Sequence, residues 1–567
     1  MESVGPRLCR PSCWEFSIAS VLSIFAAGVV LADPLQELYV DPVGGVDAPG
    51  RGSQDEPYQS VSFALQQTGP DFLLRVYQGV YTVADLFGDA PEVGPWRING
   101  ETRTAMIRTI GVVEIDVEDN QLPVFDFTGS SDVPDEPDEP VHVCLEGFHF
   151  RGGFSGITVV GPVSRPLRVD VRDCDFSLLD GTAVEVFVGD GSNADVNITR
   201  CGFRGNGGGV SVDALAGSHV DLEVAENSFE DIFPIGPSGL LGNAVEVHAE
   251  SEASVEARFL RNYFRDVATP FLFTSGTTPE KLDILIANNL VQSTGCEFDQ
   301  PGNYCVRYGL YLSLWPSKQV GLRLINNTFY GVRRQLIYQD NLEALGSRSI
   351  PLWVANNIFW GSGSLPMGGL AGGAGVSGMT LERNIVPETW SASDVGEWIG
   401  NLSSDPLFVD DAEWNFRLGE GSPAIDAGAG AAAEDVGDRD FEGFCRRTAQ
   451  FGERSAPKGQ YPVDLGAFEF RGICQADMAD LFVRGDCNDD GEFEITDAIV
   501  TFNRLFLGSS RLPCFDACDS NDDGEVDITD GIYSLAFLFL GGTRPPPPFP
   551  EPGVDLTADL SGDCLKN

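Results

Sequence analysis

Two acidic segments near the C-terminus have the spacing of a cation-binding loop. DCNDDGEFEITD spans 486–497 and DSNDDGEVDITD spans 519–530. Each loop carries carboxylate or amide side chains at positions 1, 3, 5 and 12, a glycine at position 6 for the sharp turn, and a backbone carbonyl at position 7. Calcium takes about six to eight oxygen ligands, which this spacing supplies around one point. The expected ligands are Asp486, Asn488, Asp490, Glu492 and Asp497 in the first loop, and Asp519, Asn521, Asp523, Glu525 and Asp530 in the second.

Each loop leads into an apolar segment with helical spacing, AIVTFNRLFLG after the first and GIYSLAFLFLGG after the second. A single acidic loop could arise by chance in so acidic a chain, but two in tandem, each followed by a helix, form a specific pattern. The sequence therefore predicts a small α-helical calcium-binding domain over 473–540. A Pro-rich and acidic tail follows over 541–567.

A second set of candidate residues stands at fixed distances before a recurring Asn or Cys. These acids, arginines and aromatics could form columns along a glycan-binding groove, in which carboxylates bind calcium or act as general acid and base, arginines bind uronates, and Trp353 stacks on a sugar ring. The alternative is a solvated strand face, which is ordinary in an acidic chain. The predicted catalytic residues are Asp195, Asp221, Glu223, Glu256, Arg258 and Asp283, and the same two columns also hold Arg168, Asp170, Asn197, Leu285, Arg323 and Trp353.

These columns depend on an eight-residue pattern that recurs along the chain. It consists of an apolar residue, any residue, an apolar residue, two further residues, Asn or Cys, any residue, and Phe or Val. It runs from VDVRDCDF, ending at Phe176, to MTLERNIV, ending at Val386, with steps of 26 to 38 residues. The period of two within each copy indicates a strand, and the near-constant step indicates a solenoid with insertions in some coils. We therefore predict a mainly β fold, a right-handed parallel β-helix over 33–472 with an N-terminal cap.

A second apolar strand in each coil offers another column of polar side chains. Glu185, Ser211, Glu246 and Tyr311 share one position, and Asp213 and His248 stand two residues further on. A histidine beside acids is a candidate general base, although surface histidines are common.

The composition limits the partners and the compartment. With 85 acidic and 36 basic residues the formal net charge is −49, which excludes nucleic acid and anionic membrane surfaces as ligands. Residues 1–32 have the basic start, apolar stretch and small-residue cleavage site of a signal peptide, and no later segment could span a membrane. We expect export, which permits disulfides, for instance between Cys296 and Cys305.

The chain also resembles two families. YVDP at 39–42, EPYQSVSFALQQ at 56–67 and GSPAIDAG at 421–428 are similar to the entry strand, capping helix and C-terminal signature of pectin-lyase-like right-handed β-helix proteins. VYQGVYTV at 76–83, DPLFVD at 405–410 and DLGAFEF at 464–470 fit the same pattern. That family includes lyases, hydrolases, epimerases and members without known activity, so the resemblance implies a fold more than a reaction.

The C-terminal loops resemble type I dockerins, because aspartate occupies position 12 and no helix enters the first loop. Positions 10 and 11 read Ile495-Thr496 and Ile528-Thr529 where cohesin-binding dockerins commonly have Ser-Thr, a departure that argues against a cohesin-like protein partner but leaves the calcium ligands intact.

Two classes of function remain. The first is a secreted polysaccharide-binding or polysaccharide-degrading protein of the lyase or glycoside hydrolase type. The second is a noncatalytic extracellular or cell-surface scaffold or adhesion protein, which the lack of GxSxG, HExxH and phosphate-loop motifs favours. The presence of only four lysines argues against lyases that use lysine as the base.

Overall fold

The computed structural model divides the chain into two compact units. One comprises Met1–Glu442 with Pro462–Phe470, and the other comprises Gly443–Tyr461 with Arg471–Asn567. The structure describes residues 35–82, 96–98, 102–116, 123–129, 140–162, 165–232, 242–276, 278–294, 306–314, 319–339, 351–361, 367–372, 378–391, 396–429, 436, 439–444, 446, 463–470, 482–488, 493–507, 515–524, 526–546 and 548–550. The predicted signal peptide, the Cys296–Cys305 bridge and the end of the tail lie outside these ranges.

The first unit is built mainly of two long parallel sheets. The larger, sheet A, contains a long strand and, in most coils, a short strand from the same coil. Its strands are β1 (Gln36–Val40), β2 (Asp71–Thr82), β4 (Thr104–Asp116), β6 (Val141–Arg151), β8 (Leu167–Arg172), β9 (Asp175–Ser177), β11 (Asn193–Thr199), β12 (Gly202–Arg204), β14 (His219–Ala225), β15 (Ser228–Glu230), β17 (Ser254–Leu260), β18 (Tyr263–Arg265), β20 (Lys281–Ala287), β21 (Leu290–Gln292), β23 (Gln319–Ile325), β24 (Thr328–Tyr330), β26 (Leu352–Ala355), β27 (Ile358–Trp360), β29 (Met379–Glu382) and β30 (Glu397–Ile399).

The second parallel sheet, sheet B, takes one strand from each coil. Its strands are β3 (Trp96–Ile98), β5 (Pro123–Thr128), β7 (Ser155–Val160), β10 (Thr182–Val188), β13 (Gly208–Ala214), β16 (Asn243–Ala249), β19 (Thr269–Ser275), β22 (Tyr308–Ser313), β25 (Gln335–Gln339) and β28 (Gly369–Gly372). A short helix, α1 (Val61–Gln66), precedes β2, and an antiparallel pair, β31 (Phe408–Asp410) and β32 (Asn415–Leu418), follows the last coil.

Each coil runs from a strand of sheet B to a long strand and then a short strand of sheet A. The strand β11, for example, pairs in parallel with β8 on one side and β14 on the other. Every strand therefore hydrogen-bonds to its equivalents in the coils before and after it, which confirms the predicted parallel β-helix. The period-two pattern puts alternate apolar side chains inside the coil, where they form one continuous core.

Phenylalanines on the short strands stack along the axis of the coil. Phe150, Phe176, Phe203, Phe229 and Phe264 follow one another with ring centroids 4.6 to 5.1 Å apart and ring planes within 9° of parallel. The ring spacing matches the spacing of the strands, about 4.8 Å. Because the strands of these coils lie in register, the same side chain packs at the same position in each of them.

The turn between the long and short strands is held by a row of buried asparagines, the asparagine ladder. In each step the Oδ1 atom of one asparagine accepts hydrogen bonds from the backbone N–H and side-chain amide of the asparagine one coil earlier. Asn289, for instance, donates from both groups to Oδ1 of Asn327, each at 2.9 Å. In the earlier coils Cys174 and Cys201, both buried, occupy the same position. The ladder consists of Asn227, Asn262, Asn289, Asn327, Asn357, Asn384 and Asn401.

The residue just before each ladder position adopts a left-handed backbone conformation and points away from the core. In the later coils this residue is also asparagine: Asn288, Asn326 and Asn356 have φ values of 56 to 58°. Their side chains bind the segment that follows the last coil. Asn356, for example, both donates to and accepts from the backbone of Ala429, at 3.0 and 2.8 Å.

This C-terminal segment, whose described residues are 405–429, 436, 439–442 and 463–470, therefore lies against the outside of the later coils within the first unit. Asn326 donates to the carbonyl of Asp464 at 2.8 Å, and Thr328 accepts from the N–H of Ala467 at 2.9 Å. In the earlier coils, ion pairs such as Arg200 with Asp173, at 2.7 Å, occupy the corresponding turn position instead.

The second unit contains three helices, α2 (Ile495–Leu507), α3 (Phe515–Cys518) and α4 (Ile528–Leu540). The ring of Phe502 lies so close over Gly531 that a Cβ atom there would come within 2.4 Å of it, so α2 and α4 meet at a glycine. None of the described helices is long and apolar enough to span a membrane.

Replacing Asn327 by alanine is expected to lower the free energy of unfolding by about 3 kcal/mol or more. Its amide bonds buried groups in neighbouring coils, namely the N–H of Asn289 and the carbonyl of Ile286, and each buried group left unpaired costs about 1–3 kcal/mol. The measurement is chemical denaturation of the full chain. Asn193→Ala, at an exposed strand end, should change the free energy by less than about 0.5 kcal/mol. Equal midpoints for the two variants would contradict the assigned role of the ladder.

Candidate functional site

The structure brings the sequence-predicted catalytic residues into register on the long strands of sheet A. Asp221 stands between Asp195 and Glu256 in adjacent strands, and Glu256 is followed by Asp283. Glu223 pairs in register with Arg258. The spacing of the repeat therefore predicts which side chains are neighbours, and both columns form as expected.

Ion pairs between these strands hold most of the predicted catalytic carboxylates. Such pairs neutralise the acids across a flat strand face, as expected of a solvated surface rather than of a reaction site. Asp195 likewise accepts a hydrogen bond from Asn197 at 3.1 Å. The closest N–O distances are 2.7 Å for Lys281 and Glu256, 2.9 Å for Arg323 and Asp283, and 4.0 Å for Arg258 and Glu223.

One acid of this face, Asp170, is completely buried and has a structural environment. His142, Arg168, Arg172 and Asn197 all donate to its carboxylate, at 2.7 to 3.2 Å. Burial alone would raise the pKa of Asp170, but the hydrogen bond from His142 and the two guanidinium groups lower it well below its usual range. A carboxylate that holds its charge this firmly stabilises the coil and is unsuited to proton transfer.

Trp353, which the sequence analysis places in the same column for sugar stacking, is partly buried instead. It packs against an apolar cluster that includes Leu285, Ile325 and Val436, and its indole N–H donates to Glu382 at 3.2 Å. The C-terminal part of the first unit thus occupies the space over Trp353 that a sugar ring would need.

Sheet B carries a different set of acids on its outer face. Glu185, Asp213 and Glu246, here called the acid cluster, lie on the neighbouring strands β10, β13 and β16. Burial raises the pKa of all three carboxyl groups, and Asp213 raises those of Glu185 and Glu246 further. Raised carboxyl pKa values are what proton transfer near neutral pH requires.

The surroundings of Glu246 are polar and partly buried. Asn243 donates to its carboxylate at 3.1 Å. The Oδ1 atom of Asn243 and the hydroxyl of Thr269, its partner in register, are buried without a hydrogen-bond partner in the described part of the chain. Buried polar atoms of this kind call for a water or a ligand hydroxyl.

His248 lies beside the acid cluster and is held from both sides. Its register partner on one strand is Asp213, and its ring nitrogens contact the hydroxyl of Thr274 at 2.6 Å and the carboxylate of Glu250 at 3.2 Å. The histidine favours the ionised form of Asp213, against the effect of burial.

Beyond one intervening strand, the same outer face ends in three tyrosines, the tyrosine cluster. Tyr311 and Tyr338 are in register on β22 and β25, and Tyr308 completes the group with ring centroids 4.9 to 5.4 Å apart. Tyr311 shares its column with Glu246 through Leu272. Aromatic faces beside acids give the outer face of sheet B the side-chain types that bind sugar rings.

In the second unit the two acidic loops have matching hydrogen bonds. The position-12 carboxylate, Asp497 or Asp530, accepts from the backbone N–H of position 3 and of position 9 in its own loop, at 2.7 to 3.3 Å. The position-3 amide donates to the threonine at position 11, Thr496 or Thr529, at 3.1 Å in both loops. The Thr residues at position 11 thus hold the ligand amides in place.

The donor set of these loops suits a hard divalent cation. Asp519 and Asp530 are fully buried, and burial, together with the nearby carboxylates of Asp519 and Asp523, raises the pKa of Asp530 to about 7. Crowded oxygen ligands with this charge fit calcium. No group of three or more His, Cys, Asp or Glu side chains is arranged to hold a metal ion among the described residues, but Asp490, Glu492 and Glu525 lie outside them.

A disulfide between Cys487 and Cys518, which the sequence analysis did not single out, joins the two loops. The bridge connects position 2 of the first loop to the residue before the second. With a sequence separation of 31 between the cysteines, the chain-entropy model gives a stabilisation of about 3–4 kcal/mol. The ligands of both loops are thereby held close together in a unit too small for a large core.

No protein-family model matches the chain, and no curated protein matches its sequence. Among solved structures, a pectate lyase, Pel9A, is similar at 16% identity and a TM-score of 0.37, over 76% of this chain and 96% of that one. A rhamnogalacturonan lyase is similar at 13% identity and a TM-score of 0.29, over 78% and 98% of the two chains. A lacto-N-biosidase of the GH136 type from Eubacterium ramulus shows 10% identity and a TM-score of 0.30, over 62% and 67%. Likenesses this distant assign no activity to the chain.

The pKa directions predict opposite effects of pH for two variants. Because the pKa of Glu246 is raised, the protein loses stability as pH rises through that pKa, so Glu246→Gln should be more stable than the unmodified protein near pH 8 and equal to it near pH 4. Because the pKa of Asp170 is lowered, Asp170→Asn should be destabilised near pH 8 and still at pH 4, and the deficit should shrink only as pH falls further toward the lowered pKa. Denaturation midpoints at pH 8, 4 and 2 check this. Parallel pH profiles for the two variants would be inconsistent with their assigned environments.

Proposed function

We propose that this protein is an exported glycoside hydrolase that binds a glycan along the outer face of sheet B and cleaves it at the acid cluster. One observation carries the proposal. Three partly buried carboxyl groups with raised pKa values lie on neighbouring strands, on the face that also presents the tyrosine cluster. The export signal expected at residues 1–32 is consistent with an extracellular polysaccharide as substrate.

Glu246 and Asp213 are the best-placed pair for the reaction. They are one strand apart across the sheet and two residues apart along it, which separates their Cα atoms by about 8 Å. A similar distance between their carboxyl groups would leave room for a water molecule, as in glycosidases that invert the anomeric carbon. In this scheme Glu246 gives its proton to the glycosidic oxygen as the C–O bond breaks. Water attacks the anomeric carbon from the opposite side and passes its proton to Asp213.

The surroundings support this division of roles. Burial and the charge of Asp213 favour the protonated form of Glu246, against the hydrogen bond from Asn243, while His248 stabilises the charge of Asp213, the base. Glu185 lies on the strand on the other side of Asp213. It adds a third carboxyl group near the glycosidic bond and can bind a sugar hydroxyl.

A noncatalytic scaffold or adhesion protein is the second candidate. The ion-paired long strands of sheet A favour it, because a flat surface of neutralised charges suits contact with a neighbouring protein or cell-surface component rather than chemistry.

Glu246→Gln and Asp213→Asn are each expected to lower the rate of glycan hydrolysis at least about 100-fold, because each removes a proton-transfer group. The assay follows reducing ends released from neutral, uronate-containing and sulfated polysaccharides by residues 33–567. Glu252→Gln, in the exposed turn after β16, is the matched control and should keep full activity.

The same assay tests the candidates of the sequence analysis. Loss of activity in Asp221→Asn or Glu256→Gln, with Glu246→Gln active, would move the reaction to sheet A. Unsaturated products would indicate a lyase. If the unmodified protein cleaves none of the polysaccharides, the noncatalytic scaffold is favoured.

We also propose that the second unit binds two calcium ions. Asp486, Asn488, Asp490 and Asp497 would hold one ion with the carbonyl of Glu492, and Asp519, Asn521, Asp523 and Asp530 would hold the other with the carbonyl of Glu525. The matching hydrogen bonds of the two loops and the crowded carboxylates support this. Calcium would neutralise the buried acids and thereby stabilise the unit.

Calorimetric titration of the EGTA-treated full chain is expected to show two calcium ions per chain, and Asp530→Asn should reduce the number to one. Hydrogen exchange should show that chelation exposes α2 and α4 but leaves the coil protected, because the ions stabilise the second unit alone. Asp405→Asn, in the first unit, serves as the control. A chain that binds no calcium, or whose helices keep their protection in EGTA, would exclude the assignment.

A further inference from the structure

We infer that the tyrosine end of sheet B is a subsite for a sugar that carries an anionic group, a carboxylate or a sulfate. The inference rests on the proposed glycan site on that face. It adds a substrate class, namely a glycan that is neutral over the acid cluster and anionic a few residues away.

Two arginines stand at the edge of the tyrosine cluster, at equivalent positions of adjacent coils. Arg307 comes directly before β22 and Arg334 directly before β25, and the N–H of Arg334 donates to the carbonyl of Arg307 at 3.0 Å. A guanidinium nitrogen of Arg334 also lies 3.3 Å from the hydroxyl of Tyr308. Positive charge therefore lies directly beside the aromatic rings.

Neither arginine has a carboxylate partner within the described part of the chain. In most other coils of this acidic protein, arginines on adjacent strands or turns are paired with acids, as Arg261 is with Glu226 at 2.6 Å and Arg323 is with Asp283 at 2.9 Å. Two like charges on neighbouring coils are destabilising when nothing lies between them. An anionic ligand would relieve this repulsion and accept hydrogen bonds from both guanidinium groups.

The position of these arginines relative to the acid cluster defines the order of sugars. From Glu246 on β16 to Tyr311 on β22 there are two strand spacings, about 10 Å. The acid cluster would repel an anion bound over it, whereas the arginines would attract one. A glycan lying across the strands would therefore place its neutral linkage at Glu246 and its anionic sugar on the tyrosines.

The test uses small probes that need no cleavage: glucuronate, glucose 6-sulfate and neutral glucose, titrated into the full-chain Glu246→Gln protein and followed by ligand-observed NMR. An anionic probe should bind at least about tenfold more tightly than glucose, a difference of about 1.4 kcal/mol. The stronger of the two probes identifies carboxylate or sulfate as the natural group. Arg334→Gln and Arg307→Gln should each reduce the preference, and the double variant should abolish it.

Arg97→Gln is the matched control, since Arg97 is an exposed arginine near the other end of sheet B that pairs with Asp126. Unchanged denaturation midpoints show that the variants are folded. Equal affinity for all three probes, or a preference that survives the double variant, overturns the inference. If the protein hydrolyses a neutral glycan but shows no preference for anionic probes, the proposed function stands and this subsite is excluded. If it prefers anionic probes but hydrolyses no glycan, the subsite stands and the proposed hydrolase function is excluded.

Discussion

The first unit depends on the hydrogen bonds of a buried amide. A coil that turns sharply inside a close-packed solenoid leaves backbone N–H and C=O groups with no access to water, and each must find a partner. In this protein the asparagine ladder supplies those partners from one coil to the next, so Asn289 donates to carbonyls in its own and the preceding coil and binds Asn327 in the following one. The ladder also keeps successive turns at the same place on the coil. Stacked phenylalanines and in-register strands follow from that alignment.

Because the interior is fixed by repeated side chains, the outer faces of the coil are free to differ. The long strands of sheet A present acids and bases that neutralise one another, as Lys281 and Glu256 do. The acid cluster of sheet B is partly buried and has no arginine or lysine partner among the described residues, and arginines stand two and three strands beyond Glu246. The charged side chains of sheet A pair with one another, whereas the acid cluster and the arginines beside the tyrosine cluster on sheet B stay apart and are available to a ligand. For this reason the site is placed on sheet B rather than on sheet A.

The sequence predicts the repeat, and with it the residues that stand side by side. The spacing of the Asn and Cys positions identifies the neighbours of Asp221 and of Asp213 correctly, since parallel in-register strands preserve that spacing. It does not predict what each side chain contacts above the sheet. Trp353 looks available for a sugar until the C-terminal part of the unit packs over it, and the ion pair of Glu256 depends on a rotamer of Lys281. A signal for the C-terminal segment was nevertheless present, since a double Asn-Asn occurs in three successive coils whose outer asparagines bind that segment, and Arg-Cys, Glu-Asn or Arg-Asn in the three coils before them.

That double asparagine has a consequence for how the gene can change length. In the described coils before Asn288, the residue preceding the ladder position pairs with its equivalent in an adjacent coil, as Arg200 does with Asp173, so one such coil of about 27 residues could be duplicated or deleted in evolution and the ends would still meet. The coils containing Asn288, Asn326 and Asn356 are different, because each is also matched to a particular point on the C-terminal segment. Length variation among descendants of this chain should therefore concentrate before residue 265. The later coils should be inherited as a block together with the segment that they bind.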